Sequence, residues 1–255
     1  MNAKQLRDNW RRSWRRHLAM AAKLLRRPAP LNAEAVHDLR VALRRCRLLL
    51  TLAGKSPHRA RRRAFRAAAR AVLDLFAPVR DLDVTLEWVA AQHAPASVLA
   101  RLHQRRVRHA LRADTALATL RADLRPGRIR KTGRVDADKL ARRHRRWRDA
   151  LEKHCRAEAR RARRLTTAQL HDLRRKIRRW RYLRELESRG AGPAVATLVA
   201  VQEALGGVQN SEVVLEALRA VRAPRELLRQ AREEWAASRK LAVRELMRCL
   251  GGKRR

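Results

Sequence analysis

Apolar residues recur three and four positions apart over long windows of this chain, and charged residues fill the positions between them. That is the period of an α-helix; a half-buried strand would alternate every second residue, and no β-branched alternating segment stands out. Breakers divide the pattern. A first helix is predicted near Ala3 to Arg27, stopping at Pro28-Ala29-Pro30. A second starts after Asn32, whose side chain suits an N-cap, and ends near Gly54. A third runs from near Pro57 to Ala77-Pro78, a fourth from about Asp81 to Gln92, and a fifth from Pro95 to about Ala122. The stretch Leu124 to Val135, with Pro126, Gly127 and Gly133, reads as a linker. Beyond it, helices are predicted near Asp136–Arg164, Gln169–Arg189, Pro193–Leu205, Ser211–Arg222 and Pro224–Leu250. Thr166-Thr167-Ala168-Gln169 has the spacing of a capping box. The fold class is all-α.

An internal repeat organises these helices. The segment Val36 to Arg47 aligns with Leu170 to Arg181, sharing His, Asp, Leu and four Arg positions. A weaker match sets Val79 to Glu87 against Val208 to Glu216, with the breakers Ala77-Pro78 and Gly206-Gly207 preceding each. The matches keep the same order. The chain therefore reads as a first helical repeat over 1–122, a linker over 123–135 and a second repeat over 136–255, each of roughly four helices.

The repeated helices carry the candidate chemistry. At about 100° per residue, Val36, Leu39, Leu43, Cys46 and Leu50 cover one arc and face a core. His37, Arg40, Arg44 and Arg47 fall within about 80° of one another on the flank of that arc. The second copy repeats this, with Leu170, Leu173, Ile177 and Trp180 on the apolar side and His171, Arg174, Arg178 and Arg181 on the flank. Each repeat thus holds a ladder of one His and three Arg climbing about 15 Å of helix. Guanidinium forks bind phosphate oxygens in pairs and stay charged at any working pH. Arg45 and Arg179 lie further round and are expected to serve a second edge of the same anion-binding site. Further Arg stripes over 59–70, 101–112 and 153–163 have the spacing of solvated helix faces. Asp81 and Asp83 read as cap or salt-bridge residues at a helix start.

Composition points the same way. Of 255 residues, 64 are Lys or Arg against 24 acids, a formal net charge of +40, and 55 of the basic residues are Arg. Such self-repulsion penalises a compact state and calls for a polyanionic partner. A genome rich in G and C explains Arg over Lys, but it supplies Asp and Glu too and does not account for the excess. Apolar runs are far shorter than the roughly 18 residues of a membrane span, and no secretory leader is evident. Cys46, Cys155 and Cys249 form no CxxC pair, so neither a disulfide framework nor a metal site is expected.

These residues resemble the CHAD domain, the conserved-histidine α-helical domain. The resemblance rests on His37-x-x-Arg40-Val41-x-x-Arg44-Arg45-x-Arg47, Arg80-Asp81-Leu82-Asp83-Val84, His171-x-Leu173-Arg174-x-x-x-Arg178-x-x-Arg181-Tyr182 and Gln202-Glu203-x-Leu205-Gly206. It spans essentially the whole chain. Cys46 and Trp180 stand where Leu is usual, and Asn210 replaces the second-half Asp. The resemblance implies two helical bundles related by pseudo-twofold symmetry around a basic central cavity. It further implies binding of inorganic polyphosphate and association with polyphosphate granules in the cytoplasm. By the same analogy, His37, Arg40, Arg44, Arg47, His171, Arg174, Arg178 and Arg181 are the binding residues.

An enzyme is the first rival. No Glu-x-Glu-x-Lys strand motif, P-loop, HExxH or GxSxG occurs, so a non-enzymatic protein without cofactor or metal is expected. The second rival is a nucleic-acid-binding basic helical protein, since the charge, the Arg stripes and the six Trp would serve it. No helix-turn-helix or zinc-finger pattern supports that reading, and the Trp residues mostly fall on apolar helix sides. Non-specific nucleic-acid binding at low salt is expected regardless. No membrane partner is expected, and a monomer is preferred over an assembly.

Overall fold

Side-chain caps open several helices where the sequence places them. In the computed structural model, which describes residues 1–54, 58–124, 135–188 and 192–252, Asn32 Oδ1 accepts the Ala35 N–H at 2.8 Å and starts a helix. Asn2 and Gln5 exchange hydrogen bonds as a capping box, and so do Thr166 and Gln169, as predicted. Asp136 Oδ1 accepts the N–H groups of Asp138 and Lys139. The helices are α1 (Ala3–Leu25), α2 (Ala33–Ala53), α3 (Arg59–Leu75), α4 (Ala77–Ala91), α5 (Ala96–Leu120), α6 (Ala137–Arg160), α7 (Thr167–Ser188), α8 (Pro193–Ala220) and α9 (Arg225–Leu250). A 3₁₀ turn, Ala162–Arg164, joins α6 to α7. Every regular element among the described residues is helical, and none is long and apolar enough to cross a membrane.

Two expectations need correction. The breaker at Gly206-Gly207 does not divide two helices; α8 runs straight through it for 28 residues. Helical glycine is disfavoured by about 1 kcal/mol, but Leu205 and Val208 on either side are buried against the neighbouring helices, and packing carries the helix onward. The fourth helix starts at Ala77, not Asp81, because Pro78 sits in its first turn, where a missing N–H breaks no helical bond. The predicted linker residues Pro126, Gly127 and Gly133, the Pro57 start and the Arg189 end lie outside the described residues.

The chain divides into two compact units, Met1–Ala141 and Arg142–Arg255, the division falling early in α6. In the first, α1, α3 and α4 all pack on α2. The α2 arc predicted to face the core does so: Val36, Leu39, Leu43 and Cys46 are solvent-inaccessible. Trp10 donates its indole N–H to the Leu49 carbonyl at 3.0 Å and stacks on Trp14, whose ring meets the edge of Phe65. Gly54, at φ +76°, closes α2, and the buried Arg62 donates to its carbonyl.

In the second unit, α7, α8 and α9 enclose a core that includes Leu173, Ile177, Trp180, Val201, Leu205 and Leu246. Charge joins α6 to α7. Arg184 bridges Glu152 and Glu187 at 3.1 Å each, Arg156 adds to Glu152, and Arg148 reaches Glu187 at 2.6 Å. His144, also buried there, directs Nε2 at the Leu183 carbonyl, 3.0 Å away, so Nε2 carries the proton. Glu152→Ala leaves Arg156 without its buried acid and Arg184 with Glu187 alone, and is expected to lower unfolding free energy by about 3 kcal/mol, measured by urea denaturation; an unchanged midpoint would contradict the ion-pair seam.

Acid sensitivity follows from His17, buried on α1. Burial, then the nearby Arg45 and Arg16, lower its pKa to about 4. A depressed histidine pKa favours the neutral folded form, so this contribution is present above about pH 6.5 and is lost as pH falls toward about 4. Denaturation midpoints should drop over that window by the equivalent of up to about 3 kcal/mol, and His17→Gln should flatten that part of the drop. An equally steep profile in the variant would exclude His17 as its source.

Candidate anion-binding ladders

The ladder of the first unit runs up the flank of α2, where the buried arc meets solvent. His37 is exposed at its foot. Partial burial, then the Arg80 guanidinium of α4, hold it below the ordinary histidine range, with Asp38 pulling the other way and Arg44 and Arg40 adding to the depression. At neutral pH this ring is therefore uncharged and offers an N–H donor. Arg44 and Arg47 follow, half-buried. Arg40 is placed differently: it is only 9% exposed, and its Nη1 donates to the Leu73 carbonyl in the last turn of α3. A guanidinium suits that position, where carbonyls lack helical partners and the helix dipole is negative.

The ladder of the second unit has the same residue order on α7 but different neighbours. His171 Nε2 lies 3.1 Å from Glu212 Oε2 of α8. One turn on, Arg174 donates through Nη1 to Gln209 Oε1 at 2.6 Å. Its guanidinium occupies space left by Gly206: a Cβ built there would stand 3.3 Å from Nη2. Burial, then the Arg178 charge, lower the Arg174 pKa to about 10, with Tyr182 opposing. It remains a cation at neutral pH, and its Nε is shielded with no hydrogen-bond partner. Arg178 is half-buried, and Arg181 Nε lies 3.3 Å from Glu185.

Arg45 and Arg179 stand apart from the ladders. Arg45 faces α1, where its charge acts on His17, and Arg179 is exposed. The stripe residues Arg59, Arg63, Arg66 and Arg70 are exposed, as are Arg101, Arg108 and Arg112, whereas Arg156 is taken by Glu152. Asp83 is a salt-bridge residue, as expected, buried against Arg106 with Nε and Oδ1 2.5 Å apart. Trp10, Trp14 and Trp180 are buried in the core, and Trp88, Trp147 and Trp235 are half-buried. Among the described residues no three His, Cys, Asp or Glu side chains group as a metal site.

Four neighbours of the ladders carry no role there in the sequence reading: Arg80 and Gly206 stand only as motif and breaker residues, and Gln209 and Glu212 only as aligned repeat positions. The repeat held the signal, since it sets Arg80 against Gln209 and Asp83 against Glu212 on the helices that flank the two ladders.

The family model of the CHAD domain matches residues 11–219 of the chain. Among solved structures, the chain is similar to PptA from Streptomyces chartreusis, with a TM-score of 0.66 at 19% identity over 96% of this chain and 98% of that one. It is similar also to the CHAD domain from the plant Ricinus communis, with a TM-score of 0.65 at 20% identity, covering 98% and 92%. At these identities the structures speak for the fold. No curated protein matches the chain.

The placement of Arg40 makes a prediction about stability. Arg40→Ala removes a charged donor from a buried carbonyl and should lower unfolding free energy by about 2 kcal/mol, while Arg179→Ala should change it by less than about 0.5 kcal/mol. Equal urea midpoints for the two variants would overturn the distinction.

Proposed function

The chain belongs to the CHAD-domain family, a family linked to polyphosphate binding, and from that premise we propose that it binds inorganic polyphosphate through its two His/Arg ladders. The observation that carries the reading is the ladder itself. In each unit, a helix packed on its apolar arc sets one His and three Arg at successive turns along one flank. A column of donors at this spacing suits an extended, repetitive anion better than a single small phosphate ester.

Several features support electrostatic capture. The net charge of +40 concentrates polyanions near the surface, and condensed counterions released from the ligand favour binding at low salt. The Arg174 guanidinium is held by packing and one hydrogen bond, so little freedom remains for a ligand to remove. The role is binding, not turnover, and residence at cytoplasmic polyphosphate granules fits it. Arg40 contributes mainly by shaping the flank, because its guanidinium serves the end of α3.

The test separates site from total charge. Arg44→Gln/Arg47→Gln/Arg178→Gln and Arg101→Gln/Arg108→Gln/Arg112→Gln each remove three positive charges. At 150 mM salt the ladder variant is expected to lose about tenfold or more in affinity for long-chain polyphosphate, and the stripe variant no more than about threefold. Equal losses, or tight binding by both, would overturn the ladder model.

A further inference from the structure

The two ladders match in sequence and differ in what faces their histidines. In the second unit, the Glu212 carboxylate lies 3.1 Å from His171 Nε2, with His171 28% and Glu212 34% exposed. The residue that the repeat sets against Glu212 is Asp83. Asp83 is turned elsewhere: it is buried, with Arg106 of α5 as its partner. The neighbour that acts on His37 from α4 is instead the cation Arg80. The equivalent of Arg80 is Gln209, which spends its carbonyl oxygen on Arg174. From the neighbouring helix, therefore, His171 meets an anion and His37 a cation, although Asp38 on its own helix acts on His37 the other way.

We propose that Glu212 is a built-in competitor of the ligand: its carboxylate holds the anion position beside His171, and a phosphate group must displace it to engage the second ladder. The inference rests on the polyphosphate reading for the nature of the anion. Glu212 is partly exposed, so displacement is cheap for a densely charged ligand. A weakly charged anion gains too little at this position to expel a carboxylate. Glu212 thus sets a threshold of charge density, which makes it a specificity-determining residue. The first ladder, where Arg80 adds to His37, has no such threshold from Asp83 and takes up anions first.

The test uses the full chain with inorganic tripolyphosphate at 150 mM salt, following the imidazole NMR signals of His171 and His37, each assigned by its Gln variant. Glu212→Gln should bring the His171 midpoint to about fivefold lower tripolyphosphate, the size of one partly exposed charge removed from the site. The His37 midpoint should stay within about twofold. Glu216→Gln, one turn further along α8 and exposed, removes the same charge and should leave both midpoints within about twofold of the parent. Equal effects of the two variants, or His171 signals that fail to move in parent and Glu212→Gln alike, would overturn the proposal. Long-chain polyphosphate binding by the parent is measured in parallel. Its absence would sink the polyphosphate reading alone, since the His171 midpoints still decide whether Glu212 is displaced by an anion. Circular dichroism melts confirm that each variant is folded.

Discussion

Repulsion among guanidinium groups is the constraint under which this fold is built. The chain has 40 more positive than negative charges, and an arginine whose stem is buried at a helix seam still needs its head satisfied. Carboxylates would neutralise such a head, but the first unit repeatedly uses main-chain oxygens. Arg40 donates to Leu73, Arg62 to Gly54 and Arg106 to Leu31 as well as to Asp83. In the second unit Arg239 donates to Leu165 where the 3₁₀ turn ends. Where the carbonyl closes an α-helix, as at Leu73 and Gly54, it lacks a helical partner and sits at the negative end of the dipole, so the cation gains a bond and keeps its charge. The helices are joined while the protein stays a strong polycation.

Where acids are used, they are concentrated. Glu152 and Glu187 hold the α6–α7 seam, and Glu212 and Glu185 stand beside members of the second ladder. Those placements give the second unit more internal compensation at His171 and Arg181 than the sequence repeat alone would suggest. The ladders are thus fixed by packing on one side and differ in electrostatic surroundings on the other. Within the ladders, Arg40 and Arg174 are held in place by their hydrogen bonds to the Leu73 carbonyl and to Gln209, so folding has already met the entropy of ordering those two side chains.

Much of this was legible in the sequence because helices have a fixed period. The Asn32 cap, the Thr166–Gln169 box, the buried arcs of α2 and α7 and the flanking His/Arg positions all follow from spacing alone. What spacing does not contain is where a long side chain ends. A helical wheel places Arg40 with Arg44 and Arg47, but the reach of its guanidinium to the Leu73 carbonyl depends on how α3 packs. Likewise, Arg45 turns toward His17, and Asp83 is taken by Arg106 from a helix over 20 residues away. Gly206 read as a breaker because a glycine in isolation signals one. In the structure it is a close-approach site inside a helix, making room for Arg174.

Charge and shape make separable claims about such a protein, and competition binding at physiological salt distinguishes them most directly. Labelled long-chain polyphosphate, bound to the full chain, is displaced by unlabelled polyphosphate, single-stranded DNA, duplex DNA and RNA, compared per phosphate. Ladders matched to an extended phosphate chain predict that polyphosphate displaces at clearly lower phosphate concentration than any nucleic acid. Equal displacement by all four would mean that net charge alone governs binding, and the ladder account would be contradicted.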